Sequence, residues 1–372
     1  NLPPEVAAPI SAITRLDNAS SQLLYAVTGG SFDKLDNQGR VSRITSKDAR
    51  LIVADISDPV HPVILTKKFL DSEKYYHYEA SLAPRGFVDM TIANNQLFVA
   101  GARKLIQFDL TLPAEPERIT ELDLPADINA LASGDGLIYV AYQQGIRIYR
   151  LTNELKLIDL GLLDNAKLGG TPGRLRLAGS SLWLTLPEQR QLVEIELASG
   201  EYRVKRRVDA RSAAGFRFRP EDVLVLPEQL LVSSGESATV QLFALDSETT
   251  ASPITDLKLA YLVSRGDLFA GQMQLAGQTL YVAGGQGDVQ LFDISPWLNG
   301  QVRENIGLRD YFSVLGNVSS LSLGSQALYA GSSFVFVNGE PRENPLDDLS
   351  SATQLGGSLN TLVYQDLAIL SQ

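Results

Sequence analysis

Two stretches of the chain carry side chains that could bind or transform a ligand, and the first is aromatic. Residues 75–79 are Tyr-Tyr-His-Tyr-Glu. Aromatic side chains on a loop offer large contact area at small entropic cost, and His77 could transfer a proton. Neighbours along an extended chain point to opposite sides, so adjacency alone does not make a catalytic site. We interpret Tyr75, Tyr76, His77 and Tyr78 as candidate ligand-binding residues, and the alternative is that they pack against the fold.

The second stretch is a basic run between residues 203 and 219, in a chain whose formal net charge is −11. Arginine binds carboxylates and sulfates through paired hydrogen bonds. Arg211, Arg217 and Arg219 are therefore further candidate ligand-binding residues. The same run alternates apolar and charged residues, so the alternative is an outer strand whose charges protect an exposed edge.

Other kinds of chemistry lack the residues that they need. The chain has no Cys and two His, His61 and His77, which excludes thiol catalysis, disulfides and a His-rich zinc site. We find no nucleophile elbow and no phosphate-binding loop. The segment beginning at Asp33 fails as a calcium loop, because Leu35 and Ile44 stand where ligands are needed. We predict no catalytic residue, no metal and no cofactor.

The charge and hydropathy of the chain limit the classes of partner that it can bind. An acidic surface disfavours binding to nucleic acid. No apolar run approaches the roughly 18 residues of a membrane-spanning helix, so we expect no membrane insertion by this segment. Hydrophobic residues make up 44% of the chain, which is enough for a folded core. Because the chain begins at Asn1, we expect a processed protein or one domain of a larger one.

A pair of apolar strands recurs along the chain. In its clearest copy, residues 280–283 (Leu-Tyr-Val-Ala) lead through a glycine-rich turn into residues 289–295 (Val-Gln-Leu-Phe-Asp-Ile-Ser). An aromatic residue in the first strand marks each copy, and we expect Phe98, Tyr139, Trp183, Tyr281 and Tyr329 to be largely buried. The positions that mark the copies are Tyr25, Phe98, Tyr139, Trp183, Tyr281 and Tyr329, with Leu231 and Ala368 as degenerate copies. Most spacings are about 40–50 residues, the period of propeller blades, and the first spacing is about thirty residues longer.

The repeat predicts an all-β fold. Apolar and polar residues alternate with a period of two, and no long stripe has the helical period, so we expect little helix. Four-stranded units of this length bury their faces only by stacking around a ring. We predict a single β-propeller domain over residues 1–372, with insertion loops at 28–50 and 67–87. We expect eight blade-like repeats, the last formed by residues 357–370 with an outer strand from Pro4–Ile10, and the alternative is seven blades.

One copy carries a family resemblance. Residues 51–59 (Leu-Ile-Val-Ala-Asp-Ile-Ser-Asp-Pro), followed by Pro62-Val63, resemble the LVIVD-repeat family of bacterial β-propellers. The match is partial at 105–116 and 289–296 and weak elsewhere. The resemblance implies an exported propeller and carries over no catalytic residue. From this resemblance we expect the protein to be outside the cell, at the cell surface or in the periplasm.

Two functions from different classes are compatible with these observations. The first is a non-enzymatic interaction module of an exported or surface-associated bacterial protein, which binds a protein or glycan partner through loops on the propeller. The alternative is a carbohydrate-active enzyme such as an acidic-polysaccharide lyase. In that enzyme, arginines would neutralise the uronate and a Tyr or His77 would be the base. A common funnel for 75–79 and 211–219 would favour the enzyme.

Overall fold

The computed structural model of the chain describes residues 10–18, 21–28, 31–35, 41–45, 48–59, 61–72, 78–79, 87–101, 103–198, 201–247, 249–260, 270–284, 287–302, 304–314, 317–324, 327–337, 340–342 and 352–363. Contacts divide the chain into two compact units. The first unit contains Asn1–Ile128 and Phe312–Gln372, and the second contains Asn129–Tyr311. That the whole chain is a single propeller domain stays a prediction.

The first unit begins with two four-stranded antiparallel sheets. In one, the strands lie in the order β1 (Ile10–Asn18), β2 (Ser21–Thr28), β5 (Asp48–Asp55) and β6 (Val63–Ser72). In the other, the order is β8 (Phe87–Ala93), β9 (Gln96–Gly101), β10 (Lys104–Asp109) and β11 (Glu117–Asp123). Each sheet is a meander in which every strand pairs with the preceding strand of the same sheet, as in a propeller blade.

A small three-stranded sheet occupies the two regions that the sequence predicts as insertion loops. It contains β3 (Ser31–Leu35), β4 (Val41–Thr45) and β7 (Tyr78–Glu79). Strand β4 pairs with β3 on one side, and its Ser42 and Arg43 pair with β7 on the other. The two insertions therefore contain strands that pair with each other.

The chain returns to the first unit with a sheet of different topology. It contains β28 (Asn317–Leu323), β29 (Ala327–Val337), β30 (Glu340–Arg342) and β31 (Ala352–Val363). Strand β31 pairs with β29 along nearly its whole length, whereas β28 and β30 pair with successive parts of β29. Because a strand has two edges, β28 and β30 share one edge and β31 takes the other. The Ser319 hydroxyl donates to the carbonyl of Ile10, which ties this sheet to β1.

The second unit contains four further meanders. The first two are β12 (Ile128–Gly134), β13 (Leu137–Tyr142), β14 (Gly145–Leu151) and β15 (Leu157–Asp164), then β16 (Leu175–Ala178), β17 (Ser181–Leu186), β18 (Gln191–Ala198) and β19 (Glu201–Asp209). The other two are β20 (Pro220–Leu226), β21 (Gln229–Ser234), β22 (Thr239–Ala244) and β23 (Ser252–Lys258), then β24 (Ala270–Ala276), β25 (Thr279–Gly284), β26 (Asp288–Asp293) and β27 (Leu308–Ser313). The helices α1 (Asn165–Leu168) and α2 (Ser295–Leu298) are one turn each, so the prediction of little helix is confirmed.

The predicted blade counts of eight and seven differ from the structure, because the described residues contain six four-stranded meanders and the sheet of β28–β31 is not a meander. The prediction treated residues 357–370 as the first two strands of a separate unit. Residues 352–363 instead form one strand, β31, which is added to β29. Residues 4–9 and 364–370, which the predicted closure also needs, lie outside the described residues.

The repeated aromatic residues are buried, as predicted for Phe98, Tyr139, Trp183, Tyr281 and Tyr329. Tyr25, Phe98, Tyr139, Trp183, Tyr281 and Tyr329 are each at most 3% exposed. Tyr139 packs in a cluster with Leu175 and Leu184 of the following sheet, so the aromatic fills the space between two sheets. Burying such a side chain contributes about 1.5–3 kcal/mol to folding. The repeat therefore recurs because stacking of sheets requires a large apolar residue at this position.

Candidate functional site

The aromatic candidates are only partly placed by the structure. Tyr75, Tyr76 and His77 lie outside the described residues. Tyr78 belongs to β7, where its backbone pairs with Arg43. A ligand site at these four residues stays a prediction from the sequence, and so does a funnel shared with residues 211–219.

The basic run separates into two groups in the structure. Arg203, Arg206 and Arg207 lie on β19, and Arg206 and Arg207 have structural roles. The Arg206 guanidinium is buried, lies 5.7 Å from the centre of the Trp183 ring and donates to the carbonyl of Ser247. Arg207 donates to the Lys167 and Leu168 carbonyls at the end of α1. The outer-strand interpretation therefore fits this part of the run.

Arg211, Arg217 and Arg219 lie beyond β19, in the segment that leads to β20. Arg211 and Arg217 form an antiparallel β-bridge, which closes a short hairpin that we call the 211–217 hairpin. At its end, the Ser212 amide donates to the Phe216 carbonyl over 2.8 Å, and the Gly215 amide donates to the Ser212 carbonyl over 2.8 Å. Gly215 has φ +87°, a conformation that glycine adopts without the steric cost of a side chain.

The turn between β17 and β18 holds one side of the 211–217 hairpin. Arg190 in that turn donates from Nη1 to the Arg217 carbonyl over 3.0 Å. Arg217 in return donates from Nη2 to the Gln189 carbonyl over 3.1 Å. These two arginines therefore fix the position of the hairpin against the sheet that precedes it.

The sheet that follows holds the other side. The Ala213 amide donates to Gln241 Oε1 over 3.0 Å and to Asp256 Oδ1 over 3.3 Å. Gln241 is buried on β22, so its amide group is a rigid anchor. Just after the hairpin, Phe218 is buried in a cluster with Trp183 and Phe243. Contacts with both neighbouring sheets therefore hold the hairpin in one position.

Phe216 at the end of the hairpin is 76% exposed, more than any other large hydrophobic residue in the described part of the chain. The sequence does not single it out, because Phe216 and Phe218 are two residues apart and a continuous strand would place both on the same face. In the structure Phe216 lies directly after the turn at Gly215 and is exposed, whereas Phe218 lies beyond the Arg211–Arg217 bridge and is buried. Glycine directly before an aromatic residue was the available signal.

Four arginines surround Phe216 along the chain and in the adjoining turns, and each pairs with a carboxylate. The N···O distances are 2.9 Å for Arg190–Glu236, 3.1 Å for Arg211–Asp209, 3.3 Å for Arg217–Asp209 and 3.9 Å for Arg219–Glu188. All four arginine side chains are between 42% and 47% exposed. Four guanidinium groups therefore pair with three carboxylates, and a fourth carboxylate, Asp256, contacts the Ala213 amide of the hairpin.

Asp209 is the acidic centre of this arrangement. A hydrogen bond from Gln191 and the guanidinium groups of Arg211 and Arg217 stabilise its charged form and lower its pKa, against a smaller opposing effect of burial. Asp209 therefore stays ionised at neutral pH and keeps both guanidinium groups beside the hairpin.

The groups that meet at this site are suited to binding. A phenyl ring can enter an apolar pocket, and half-exposed guanidinium groups can form hydrogen bonds with carboxylates. Among the described residues, no three His, Asp or Glu side chains are grouped so that they could hold a metal ion. No helix in the described ranges has the length and apolar composition needed to cross a membrane.

Comparisons with known proteins show the fold. The chain resembles a solved protein from Lactobacillus plantarum with a TM-score of 0.58 and 9% identity, over 89% of this chain and 99% of that one. It resembles Sqt1 of Saccharomyces cerevisiae with a TM-score of 0.56 and 10% identity, over 91% and 85% of the two chains. The likeness to Hsv2 of Kluyveromyces lactis has a TM-score of 0.52 and 12% identity, over 95% and 98%.

No protein-family model matches the sequence, and the search of curated proteins found no match. The structural likenesses all have low identity, so they establish the architecture and leave the activity open. Together with the six four-stranded meanders found in the described residues, they show an all-β protein of β-propeller architecture.

Proposed function

We propose that this protein is a non-enzymatic interaction module that binds a macromolecular partner through the 211–217 hairpin. The observation that carries the proposal is Phe216, which is 76% exposed on a hairpin held by both neighbouring sheets. A single exposed apolar residue is common on protein surfaces. An aromatic side chain on a rigid support among four arginines is less common, and these residue types dominate binding hot spots.

Rigidity supports the proposal energetically. Binding costs conformational entropy when loops and side chains become ordered, and a support that is already ordered avoids part of that cost. Hydrogen bonds from Arg190 and Arg217, and those to Gln241 and Asp256, order the hairpin before any partner is present. Loops on a rigid scaffold are where proteins commonly place binding residues.

The test compares Phe216→Ala with Leu112→Ala, since Leu112 is also a large apolar residue, 67% exposed, in a turn of the first unit. Each variant and the unmodified chain are immobilised and used to capture proteins from source-cell extract, and the same three proteins are applied to a glycan array. We expect a protein or glycan that binds the unmodified chain and Leu112→Ala and is lost with Phe216→Ala. If every bound component is retained by Phe216→Ala, the hairpin is not the binding site.

The lyase alternative has its own readout with the same proteins. A polysaccharide lyase makes an unsaturated uronate that absorbs in the ultraviolet, so each protein is incubated with polygalacturonate and the absorbance is followed. We expect no increase above buffer. An increase that Arg211→Ala or Arg219→Ala abolishes would replace the interaction module with the enzyme.

We also propose that the module belongs to an exported or surface-associated bacterial protein. The support is the resemblance of residues 51–63 to the LVIVD repeat. Fractionation of source cells, with an antibody against the chain, should find the protein in the periplasmic, surface or secreted fraction. Its presence in the cytoplasmic fraction alone would contradict this location.

A further inference from the structure

We propose that the partner is a protein, and that its contact surface is an apolar pocket with carboxylates at the rim, into which Phe216 inserts. This inference rests on the proposed function and specifies the partner's chemistry. The inference follows from the shape of the hairpin, the apolar side chain of Phe216 and the N–H donors of the arginines that remain available.

The shape of the hairpin favours a protein over a glycan. Phe216 lies exposed at the end of a hairpin that turns at Gly215, so its side chain protrudes from the surface. A protruding apolar side chain is complementary to a pocket, and pockets lined by apolar side chains are a feature of folded proteins. A phenyl ring also has no hydroxyl or N–H with which to bond the polar edge of a sugar.

The charges around Phe216 favour a partner with acidic groups. A guanidinium has five N–H donors. In this structure Arg211 pairs with Asp209 through Nη2, and Asp209 also pairs with Arg217, so two cations share one carboxylate. The Arg219–Glu188 contact is 3.9 Å, which is longer than a hydrogen bond. Arg211 and Arg219 therefore have donors available for a carboxylate on the partner.

The structure also separates the arginines by role. Arg217 and Arg190 hold the hairpin in position through backbone carbonyls, so changing either one alters the support itself. Arg211 and Arg219 pair with side chains, so we assign them to the contact with the partner. Arg203 provides a matched control, since it lies on β19 in the same basic run, is 76% exposed and pairs with Glu196 over 2.8 Å.

The first experiment identifies the surface that Phe216 contacts. Phe216 is replaced by the photoreactive analogue p-benzoylphenylalanine in the full chain, the source cells are irradiated, and the cross-linked peptide is sequenced by mass spectrometry. The same replacement at Leu112 is the control. We expect a protein adduct specific to position 216, in a segment whose surrounding surface carries Asp or Glu. A glycan adduct, or a protein surface without acidic residues, would overturn the inference.

The second experiment measures the affinity of the identified protein for charge-reversed variants. We expect Arg211→Glu and Arg219→Glu each to weaken binding about tenfold or more, and added salt to weaken binding of the unmodified chain. Arg203→Glu should bind as the unmodified chain does. If Phe216→Ala abolishes binding but Arg211→Glu and Arg219→Glu do not weaken it, the interaction module stands and the acidic rim is wrong. If Phe216→Ala binds normally, the proposed function fails as well.

Discussion

Arg176 on β16 and Asp222 on β20 form a two-point ion pair between the first strands of two neighbouring sheets. The Nε···Oδ1 distance is 3.2 Å and the Nη2···Oδ2 distance is 2.8 Å. Met273 on β24 joins this pair, since its amide donates to Asp222 Oδ2 over 2.9 Å and its carbonyl accepts from Arg176 over 3.1 Å. One buried carboxylate therefore connects three sheets of the second unit.

Asp222→Asn should lower the free energy of unfolding by about 3 kcal/mol, because removing one charge of a buried pair leaves the other poorly compensated. Urea denaturation measures the change. Asp159→Asn is the matched control, since the Arg147–Asp159 pair has a distance of 2.5 Å but both side chains are at least a third exposed. An exposed pair contributes about 0–1 kcal/mol. Equal midpoints for the two variants would contradict the structural role of Asp222.

Trp183→Ala should lower the free energy of unfolding by about 3–5 kcal/mol, since it removes a buried ring from between two sheets and leaves a cavity. Trp183 is 1% exposed and also contacts the Arg206 guanidinium. Thermal melting reports the loss, and Leu112→Ala, at an exposed site, should leave the midpoint within error. An unchanged midpoint for Trp183→Ala would show that the repeated aromatic position is not part of the core.

Asp288 should make stability depend on pH. Burial raises its pKa, although a 2.7 Å hydrogen bond from Gln290 acts in the opposite direction. A folded-state pKa above the unfolded value means that the folded chain holds this proton more tightly. The resulting stability is full below the unfolded pKa and is lost as pH rises through the folded pKa. Asp288→Asn should remove this loss. The free energy of unfolding of the variant, relative to that of the unmodified chain, should therefore increase as pH rises from about 4.

Asp293 at the other end of β26 gives the control of opposite sign. Hydrogen bonds from Ser295 lower its pKa, so its stabilisation is present above the unfolded pKa and is lost as pH falls. Asp293→Asn should therefore have a lower free energy of unfolding than the unmodified chain at neutral pH, and the difference should disappear in acid. Urea denaturation at a series of pH values measures both variants. If the two variants changed in stability with pH in the same direction, the opposite pKa shifts of Asp288 and Asp293 would be refuted.

Gln241→Leu should loosen the 211–217 hairpin without unfolding the sheet. The substitution removes the Oε1 acceptor that holds the Ala213 amide, so hydrogen exchange at Ala213 should accelerate. Gln290→Leu is the matched control, because Gln290 bonds in the same way to the N–H and C=O of Ala260. It should accelerate exchange at Ala260 and leave Ala213 unchanged. Unaltered exchange at Ala213 in Gln241→Leu would show that other contacts hold the hairpin.

The sequence predicts the repeated sheets well because one packing requirement recurs in each. A large apolar residue must fill the space between sheets, and Tyr139, Trp183 and Tyr281 satisfy it with little variation. The blade count was wrong where this signal is weak. The copy at Ala368 has no aromatic residue, and nothing local indicates that residues 352–363 pair with β29 as one strand.

The site is less predictable, since it depends on contacts between distant parts of the chain. Arg211, Arg217 and Arg219 were selected by charge alone, and their neighbours in the sequence give no sign that Arg217 supports the hairpin while Arg219 is weakly engaged. Phe216 was missed because the alternating sequence groups it with Phe218, whereas the turn that ends at Gly215 leaves Phe216 exposed at the end of the hairpin. Bonds to Gln189 and Gln241, 28 residues away on either side, determine the outcome.

The pairing of β4 with β7 has an evolutionary consequence. The two segments that depart from the repeat lie on opposite sides of β5 and β6 in the chain, yet Ser42 and Arg43 of one pair with Glu79 and Tyr78 of the other. Loss of either segment by deletion would leave a strand edge of the survivor without its hydrogen-bonding neighbour. Homologues of this chain should therefore possess both insertions or neither, and their lengths should vary together.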